Sequence, residues 1–390
     1  MVYTGLDENY IARILSEALH IKPRRALSLA SSRSIRILRY RNITYIVLRR
    51  DIANFAEGTT IIVGEKDHRV IPGYPHIKRI LLPSKALPSH FIDKIVVEEK
   101  MNGYNVRVFI YEGEIYAATR GGYICPYTTH RVRESYGENI RSLIEASGET
   151  SIVAGEVVGL QNPYTRYYYP EAPNWDFFVF DIIRDGRRVP HYDKYKMIEE
   201  YGLKGVRMLG VISKHDIDGL YRIMDDLEKE GREGVVMKDP LNRVEPLKYT
   251  TSATNIGDIS IGMRAPFDEG RHFIFPRLLR ELFMYYERNY SPEEIESKAR
   301  KLGEALIKPA LDSINRFERE KAIGESFELP FSDYEFLEEF IDYMIRLGVD
   351  FSVISIEKNE GVTLFRGVKW MRETQRMFER ILSTGVSPMD

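Results

Sequence analysis

The chain has a single cysteine, Cys125, among 390 residues. That excludes an internal disulfide framework and a multi-cysteine zinc site, and it suits a reducing, cytoplasmic setting. Long apolar runs are also missing. The most apolar segments, such as DFFVFDII from Asp176, are strand-sized, so no membrane span is expected. The opening MVYTGLDENY lacks the basic-then-apolar order of a signal peptide. There is little net charge: 56 Lys and Arg oppose 58 Asp and Glu, giving -2, which excludes a wholly basic protein. Neither a repeat nor a low-complexity segment occurs.

The charge that is present is unevenly placed. Residues 1–50 hold ten Lys and Arg against three Asp and Glu, whereas residues 325–350 are acidic. A local surface for a polyanion is one reading, and ordinary charge fluctuation is the plain alternative. The 43% hydrophobic and 29% charged content fits globular domains, and the length allows two to four of them.

Periodicity predicts an α+β chain in four parts. Residues 1–68 open with a helix, ENYIARILSEALH, and continue as strands in SIRILRYRNITYIVLRR and GTTIIV, making a small, mostly β module. Residues 69–255 read as antiparallel sheet with a few helices. IDKIVVEEK and YNVRVFIYEG flank the Asn102-Gly103 turn, EGEIYAATR is a hairpin partner, and Asp185-Gly186 is a second hairpin signal. Residues 256–325 turn helical. Ser291-Pro292-Glu293-Glu294 is a capping box, and Ile295, Leu302 and Leu306 form a stripe until Pro309 breaks or kinks the helix. In residues 326–390, Ser332-x-x-Glu335 caps a helix, two strands follow, and a last helix ends near Gly385.

Lys100 in EEKMNGYNVR poses the chemical question. A lysine nucleophile must be neutral, although its ordinary pKa is about 10.4. A strand end beside an Asn-Gly turn can present the amine in a cleft, with the small Gly103 admitting a ligand. Alone, the string is weak evidence and reads first as a hairpin turn with a solvated lysine. Four further features follow in order. AGEVVG places Glu156 at a strand end, where it can accept from a sugar hydroxyl. DFFVFDI offers Phe180 as a flat surface for a purine. REGVVMKD carries Glu233 and Lys238, a carboxylate for a metal and a cation for a phosphate. PLKYT adds Lys248. Singly these are surface, core or rim residues. The ordered set is hard to obtain by chance.

In that order KMNG, TRGG (Thr119–Gly122), GEVVG, DFFVFD, EGVVMK and PLKYT resemble motifs I, Ia, III, IIIa, IV and V of the covalent nucleotidyltransferases. KMNGYNVR and GEVVGLQNPYTRYYYPEAPNWDFFVFD resemble the archaeal homodimeric ATP-dependent RNA ligases, the third RNA ligase family. The resemblance implies an ATP-grasp-like nucleotidyltransferase core of antiparallel sheets with helices, a small N-terminal β module and a helical C-terminal dimerisation region. It implies ATP as cofactor, with AMP carried covalently on Lys100, and Mg²⁺ or Mn²⁺ held by Glu233 and Glu156. Lys100, Lys238 and Lys248 would be catalytic; Asn102, Arg107, Arg120, Glu156, Phe180 and Glu233 would complete nucleotide binding. The partners implied are single-stranded RNA with 5′-phosphate and 3′-hydroxyl ends and a second copy of the chain.

Two departures leave alternatives open. An arginine commonly stands five residues after the motif I lysine; here Asn105 does, and Arg107 lies on the same strand face. Motif V often has two lysines around one residue, so either Lys238 or Lys248 could contact the α-phosphate. The rivals are an ATP-dependent DNA ligase or other polynucleotide 5′-adenylyltransferase, which would be expected to carry a small β-barrel after motif V, and a non-catalytic RNA-binding protein, which would be expected to lack an essential group.

Overall fold

The computed structural model describes residues 7–64, 67–359 and 361–387. Two helices, α1 (Glu8–Leu19) and α2 (Pro23–Ala30), open the chain. Ile11, Ile14, Leu15, Ala18 and Leu19 form the buried stripe of α1 and pack with Ile35, Ile46, Leu48 and Ile61 of the sheet that follows. That sheet runs β1 (Ile35–Tyr40), β2 (Ile43–Leu48), β3 (Thr60–Val63) and β4 (His68–Ile71), antiparallel and in chain order. Helix α2 was not anticipated from periodicity; Pro23 at its first turn starts it.

The middle of the chain forms two sheets. Its strands are β5 (Lys78–Arg79), β6 (Lys94–Lys100), β7 (Tyr104–Tyr111), β8 (Glu114–Thr119), β9 (Ile152–Val158), β10 (Asp176–Arg184), β11 (Arg187–Arg188), β12 (Lys204–Gly205), β13 (Met208–Ser213), β14 (Gly234–Lys238) and β15 (Leu247–Thr250). Between them lie α3 (Pro83–His90), α4 (Pro126–Ser147), α5 (His191–Glu200) and α6 (Ile217–Lys229). One sheet has the order β13-β6-β14-β15-β5. The other runs β11-β10-β9-β7-β8, with β12 beside β10. Pairing is antiparallel except at the two-residue strands β5 and β12.

Strands β6 and β7 therefore do not form a hairpin. Asn102-Gly103 is the crossover from one sheet to the other. A Cβ on Gly103 would lie 2.1 Å from the Val157 carbonyl oxygen, so glycine is needed there because the crossover presses on β9, and Gly103 also borders the cleft between the two sheets. The hairpins expected at β7–β8 and at Asp185-Gly186 do form.

The last third carries α7 (Ser252–Arg264), α8 (Pro266–Arg288, kinked at Gly270), α9 (Pro292–Glu320), β16 (Gly324–Phe331), α10 (Tyr334–Leu347), β17 (Phe351–Asn359), β18 (Val362–Trp370) and α11 (Arg372–Thr384). Ser291 and Glu294 make the capping box of α9. Pro309 does not break that helix, which runs through it with Ala305, Ser313 and Phe317 buried on one side. Packing of that face outweighs the one lost hydrogen bond. The N-cap of α10 is Asp333, whose carboxylate accepts from the Glu335 N–H; the Ser332 hydroxyl is engaged with His130 instead.

The expected boundaries at 68/69, 255/256 and 325/326 each fall inside an element: β4, α7 and β16. Shared cores explain the misplacement at two of them. Phe327, Leu329 and Phe331 of β16 and Phe340 of α10 pack with Val106, Tyr127 and Phe177 of the middle region, and Leu38 and Tyr45 pack with Phe109 and Tyr116. The basic and acidic stretches also meet, with Arg41 2.7 Å from Glu339 on α10, so part of the N-terminal positive charge is neutralised within the chain.

Arg107 occupies one of these joints. Its side chain is wholly buried, and it donates to the carbonyls of Pro72 (2.6 Å), Gly58 (2.9 Å) and Thr119 (2.7 Å). A Cβ on Gly58 would lie 1.9 Å from the Arg120 carbonyl oxygen, so the N-terminal module and the Thr119–Gly122 turn are in direct backbone contact where Arg107 pins them. Arg107→Met would leave the Pro72 carbonyl buried without a donor and take one donor each from the Gly58 and Thr119 carbonyls, which keep those of Thr60 and Gly122. A loss of about 2–4 kcal/mol in denaturant-induced unfolding is expected, from one unsatisfied buried carbonyl at roughly 1–3 kcal/mol and two further lost hydrogen bonds, with partial relaxation; a loss under about 0.5 kcal/mol would show that Arg107 is not such a pin.

Candidate active site

Strand alternation puts Glu98 and Lys100 on one face of β6, while the Glu99 carboxylate pairs with Arg207 at 2.6 Å and Arg232 at 3.4 Å. Between the two middle sheets lies a cleft of about 320 Å³. It is lined from β6 by Glu98 and Lys100, from the second sheet by Asn105, Glu156 and Phe180, and from β14 and β15 by Lys238 and Lys248; Arg120 reaches in from the turn that Arg107 pins. The volume lies in the range that accepts one small ligand.

Lys100 Nζ donates to Glu233 Oε2 at 2.7 Å. The strands bring this about, since Lys100 lies opposite Gly234 in the β6–β14 register, one residue from Glu233. Phe180 is the extra residue of a bulge in β10, between Val179 and Asp181, a device that re-aims side chains. Its ring meets the Tyr74 ring edge-on at 5.0 Å between centroids, and its other neighbours in the cleft include Val206 and Val236. That is an apolar slot for a flat ring system.

Beneath the slot is a buried charge network. Lys238 Nζ sits 2.9 Å from both Glu98 Oε2 and Asp181 Oδ1 and donates to the Phe180 carbonyl at 2.7 Å. Lys194 donates to Glu98 and to the same carbonyl, Tyr74 donates to Asp181, and His191 Nδ1 lies 3.1 Å from Glu98. Burial alone would raise the Glu98 pKa, yet Lys238 and Lys194 hold it far below the usual carboxylate range. Burial likewise opposes the charge on Lys238, and Asp181 and Glu98 reverse that effect and raise its pKa.

The other cations of the cleft are not balanced. Among the described residues no carboxylate lies within ion-pair distance of Lys248 or Arg120. Burial, then Arg79, Lys100 and Arg120, push the Lys248 ammonium down to about 7. Burial lifts the Glu156 carboxyl to about 7 against the pull of Lys100, and Glu233 adds to the rise. The Asn105 side-chain oxygen is buried without a partner.

The sequence-predicted residues therefore divide. Lys100, Arg120, Glu156, Phe180, Lys238 and Lys248 line the cleft, and Glu233 is bonded to Lys100. Arg107 does not line the cleft: its two Nη atoms donate to backbone carbonyls outside it. Asn105 takes the cleft position. Asn102 does not line the cleft either; its N–H donates to the Tyr169 hydroxyl at 2.6 Å. Tyr74, Glu98, Asp181 and Lys194 were not singled out from sequence. Glu98 alone carried a signal, standing two residues before Lys100 on the same strand face.

Among the described residues no three of His, Cys, Asp or Glu gather as a ready-made metal site. Glu233 and Glu156, which act on each other electrostatically, are oxygen donors. They fit a hard cation that keeps most of its water and takes further ligands from phosphate, and such a cation would draw charge from a phosphate there.

The family described as RNA ligase matches residues 93–250, and that described as the Ligase Pab1020 C-terminal region matches residues 261–385. An uncharacterized protein of Methanocaldococcus jannaschii is 37% identical over 375 residues, covering 93% of this chain and 92% of its own length. A solved archaeal ATP-dependent RNA ligase superposes with a TM-score of 0.88 at 34% identity, covering 96% of this chain and 99% of that one. An Aquifex aeolicus structure whose name assigns it provisionally to the ATP-dependent DNA ligases gives 0.85 at 27% identity, covering 94% and 100%.

The buried network yields a test of its own. Lys238→Met would leave Glu98 and Asp181 facing each other without their shared cation, and a stability loss of about 3–5 kcal/mol is expected from an uncompensated buried charge. The depressed Glu98 pKa means that its contribution is complete above about pH 4.5 and is lost as the pH falls towards the folded-state value. The wild-type advantage over Lys238→Met in urea unfolding should accordingly shrink in acid. An equal gap at pH 7 and pH 3 would contradict this account of Glu98.

Proposed function

Because the chain belongs to the archaeal ATP-dependent RNA ligase family, we propose that this cleft joins RNA 5′-phosphate to 3′-hydroxyl ends through an enzyme-bound adenylate. The observation that carries the reading is Lys100 Nζ, held by Glu233 at a cleft lined both by the Phe180 ring and by the unpaired cations Arg120 and Lys248.

In the first step the Lys100 amine attacks the α-phosphorus of ATP. An N–P bond forms, the bond to pyrophosphate breaks and the amine loses its proton. A terminal phosphate oxygen of the RNA 5′ end then attacks the same phosphorus and frees Lys100, giving an adenylated RNA end. The 3′-hydroxyl finally attacks the RNA phosphorus and expels AMP. Circles form when both ends belong to one strand.

Roles follow from position. Phe180 stacks on adenine, and Glu156 accepts from the ribose. Lys238, already matched by two carboxylates, orders the floor of the slot and orients Phe180 through its carbonyl. Lys248 has no carboxylate partner and takes the α-phosphate, helped by Arg120, where charge shifts towards the leaving group. Mg²⁺ or Mn²⁺ at Glu233 and Glu156 would supply further charge neutralisation.

A homodimer fits the helical region. Leu282 and Tyr286 on α8, one turn apart, are 61% and 77% exposed, and Ile307 and Leu311 on α9 are 64% and 51% exposed. Divisions near residues 72, 251 and 322, at connections between elements, replace the ones drawn from periodicity. Among the described residues no helix is long and apolar enough to cross a membrane. A cytoplasmic setting is proposed from the lone buried thiol.

Incubation with ATP labelled at the α-phosphate and Mg²⁺ should leave an acid-labile label on the chain after denaturing electrophoresis. Lys100→Ala should abolish it; a normally labelled variant would sink the assignment. Offered 5′-phosphorylated single-stranded RNA and nicked DNA side by side, the enzyme should seal the RNA. Preferential sealing of the nick would favour the DNA-ligase reading.

Lys248 gives a separate signature. Above pH 7 the nucleotide-free protein has largely lost this proton, and a bound phosphate restores it. At pH 8 binding of α,β-methylene-ATP, which cannot transfer its nucleotidyl group to Lys100, should take up close to one proton, seen as a dependence of calorimetric heat on buffer ionisation enthalpy. Lys248→Met should remove most of the uptake, and an unchanged uptake would assign the proton elsewhere.

A further inference from the structure

Positive charge does not stop at the rim of the cleft. In the parallel pairing of β15 with β5, Lys248 lies in register with Arg79, so both side chains leave the sheet on the same face. Thr250, two residues beyond Lys248, shares that face. Arg79 Nη1 donates to the Thr250 hydroxyl at 2.8 Å, and that hydroxyl donates to Asn255 Oδ1 at 3.0 Å. Arg280, from α8, reaches the same Asn255 oxygen at 3.4 Å. Asn255 is wholly buried and is fixed from its other side by Glu281 at 2.8 Å. Two arginines from elements far apart in sequence are thus held side by side through one buried amide.

Neither has a carboxylate partner within ion-pair distance among the described residues. The acids that act on both are already engaged: Glu233 by Lys100 at 2.7 Å and Asp258 by Arg277 at 2.7 Å. Burial and the neighbouring guanidiniums push Arg280 down to about 10. Like charges gathered, partly desolvated and left unneutralised carry a cost that a bound polyanion relieves.

The adjacency of these arginines to Lys248 identifies the anion. Lys100 and Lys248 mark the α-phosphate position, with the Phe180 slot on the adenine side. With the α-phosphate at Lys248, the next unpaired cations within reach of the remaining phosphates are Arg79, in register beside Lys248, and Arg280, joined to Arg79 through Thr250 and Asn255. We propose that Arg79 and Arg280 form a second phosphate subsite, which grips the β- and γ-phosphates of ATP and carries the pyrophosphate as it leaves. Both lie outside residues 93–250, the segment matched to the RNA ligase family. The grip thus depends on α8, and the helical region completes the nucleotide site. The inference rests on the cleft being the ATP site.

The test compares binding of α,β-methylene-ATP, which cannot transfer its nucleotidyl group, with binding of AMP, using calorimetry on the full chain. Arg79→Gln and Arg280→Gln should each weaken α,β-methylene-ATP by about tenfold or more, the loss of charge-assisted bonds to phosphate. AMP, which lacks the outer phosphates, should change by less than about twofold, and Arg280→Lys should recover part of the loss. Equal weakening of both ligands would mean general damage and overturn the proposal, as would no change in either. If only affinity for 5′-phosphorylated RNA fell, the cations would serve the RNA end and the proposal would again be wrong. Should the wild type bind neither nucleotide, it is the reading of the cleft that fails; an affinity gap that ignores both arginines defeats the subsite alone.

Discussion

The fold depends on one buried charge network that neither middle sheet could hold by itself. Glu98 comes from β6 and Lys238 from β14 in one sheet, Asp181 from β10 in the other, and Lys194 from α5. Taking such groups out of water costs several kcal/mol per ion, which is recovered only when each charge meets its partners in good geometry. The sheets can therefore approach in few arrangements other than the one that completes the set. Strand alternation does the rest. Once Glu98 is fixed, Lys100 two residues on emerges on the same face, at the mouth of the gap that the network spaces. The position of Lys100 is thus inherited from the residues beneath it.

Arg107 plays the same part for the other wall. A guanidinium has five donors in a rigid fork and no acceptor, so burying one requires converging carbonyls. Those carbonyls come from Gly58 and Pro72, at either end of the last two strands of the N-terminal sheet, and from Thr119 at the start of the turn that carries Arg120. The N-terminal module is consequently a structural wall of the site as well as a basic surface. Part of its charge is directed inward, as Arg41 shows by pairing with Glu339.

What could be read from the sequence was whatever resides in short, local patterns. Lys100, Glu156, Phe180, Glu233, Lys238 and Lys248 each sit in a string of a few residues whose strand context is local, and the structure gathers all of them at one cleft. The capping box at Ser291 and the Asp185-Gly186 hairpin were legible for the same reason. The errors arose where a tertiary partner decides. Arg107 had the right parity but the wrong depth, and depth is set by strands of another module. Asn102-Gly103 has hairpin chemistry, yet β6 finds β13 and β14 as better neighbours and the turn becomes a crossover. Ser332 loses its cap to Asp333 because His130, two hundred residues away, claims its hydroxyl. Tyr74 and Lys194 carry no local mark, and Asp181 ends the string DFFVFD without showing its role there, since a buried ion pair is visible only when both halves are in place.

The two groups of cations at the cleft differ in electrostatic completeness. Around Phe180 every buried cation is matched: Lys238 and Lys194 by Glu98, with Asp181 sharing Lys238. That floor is stable without a ligand and can hold a preorganised slot for a neutral base. From Lys248 outwards the protein supplies cations without matching acids and accepts their mutual repulsion, visible in the depressed proton affinity of Lys248 and Arg280. A site built this way is most stable with an anion bound, so ligand affinity and folding stability are linked. It also binds most strongly the species carrying most negative charge there. A nucleotide would be recognised at its base by shape and at its phosphates by field, and the reacting bond would lie where the two regimes meet, beside Lys100.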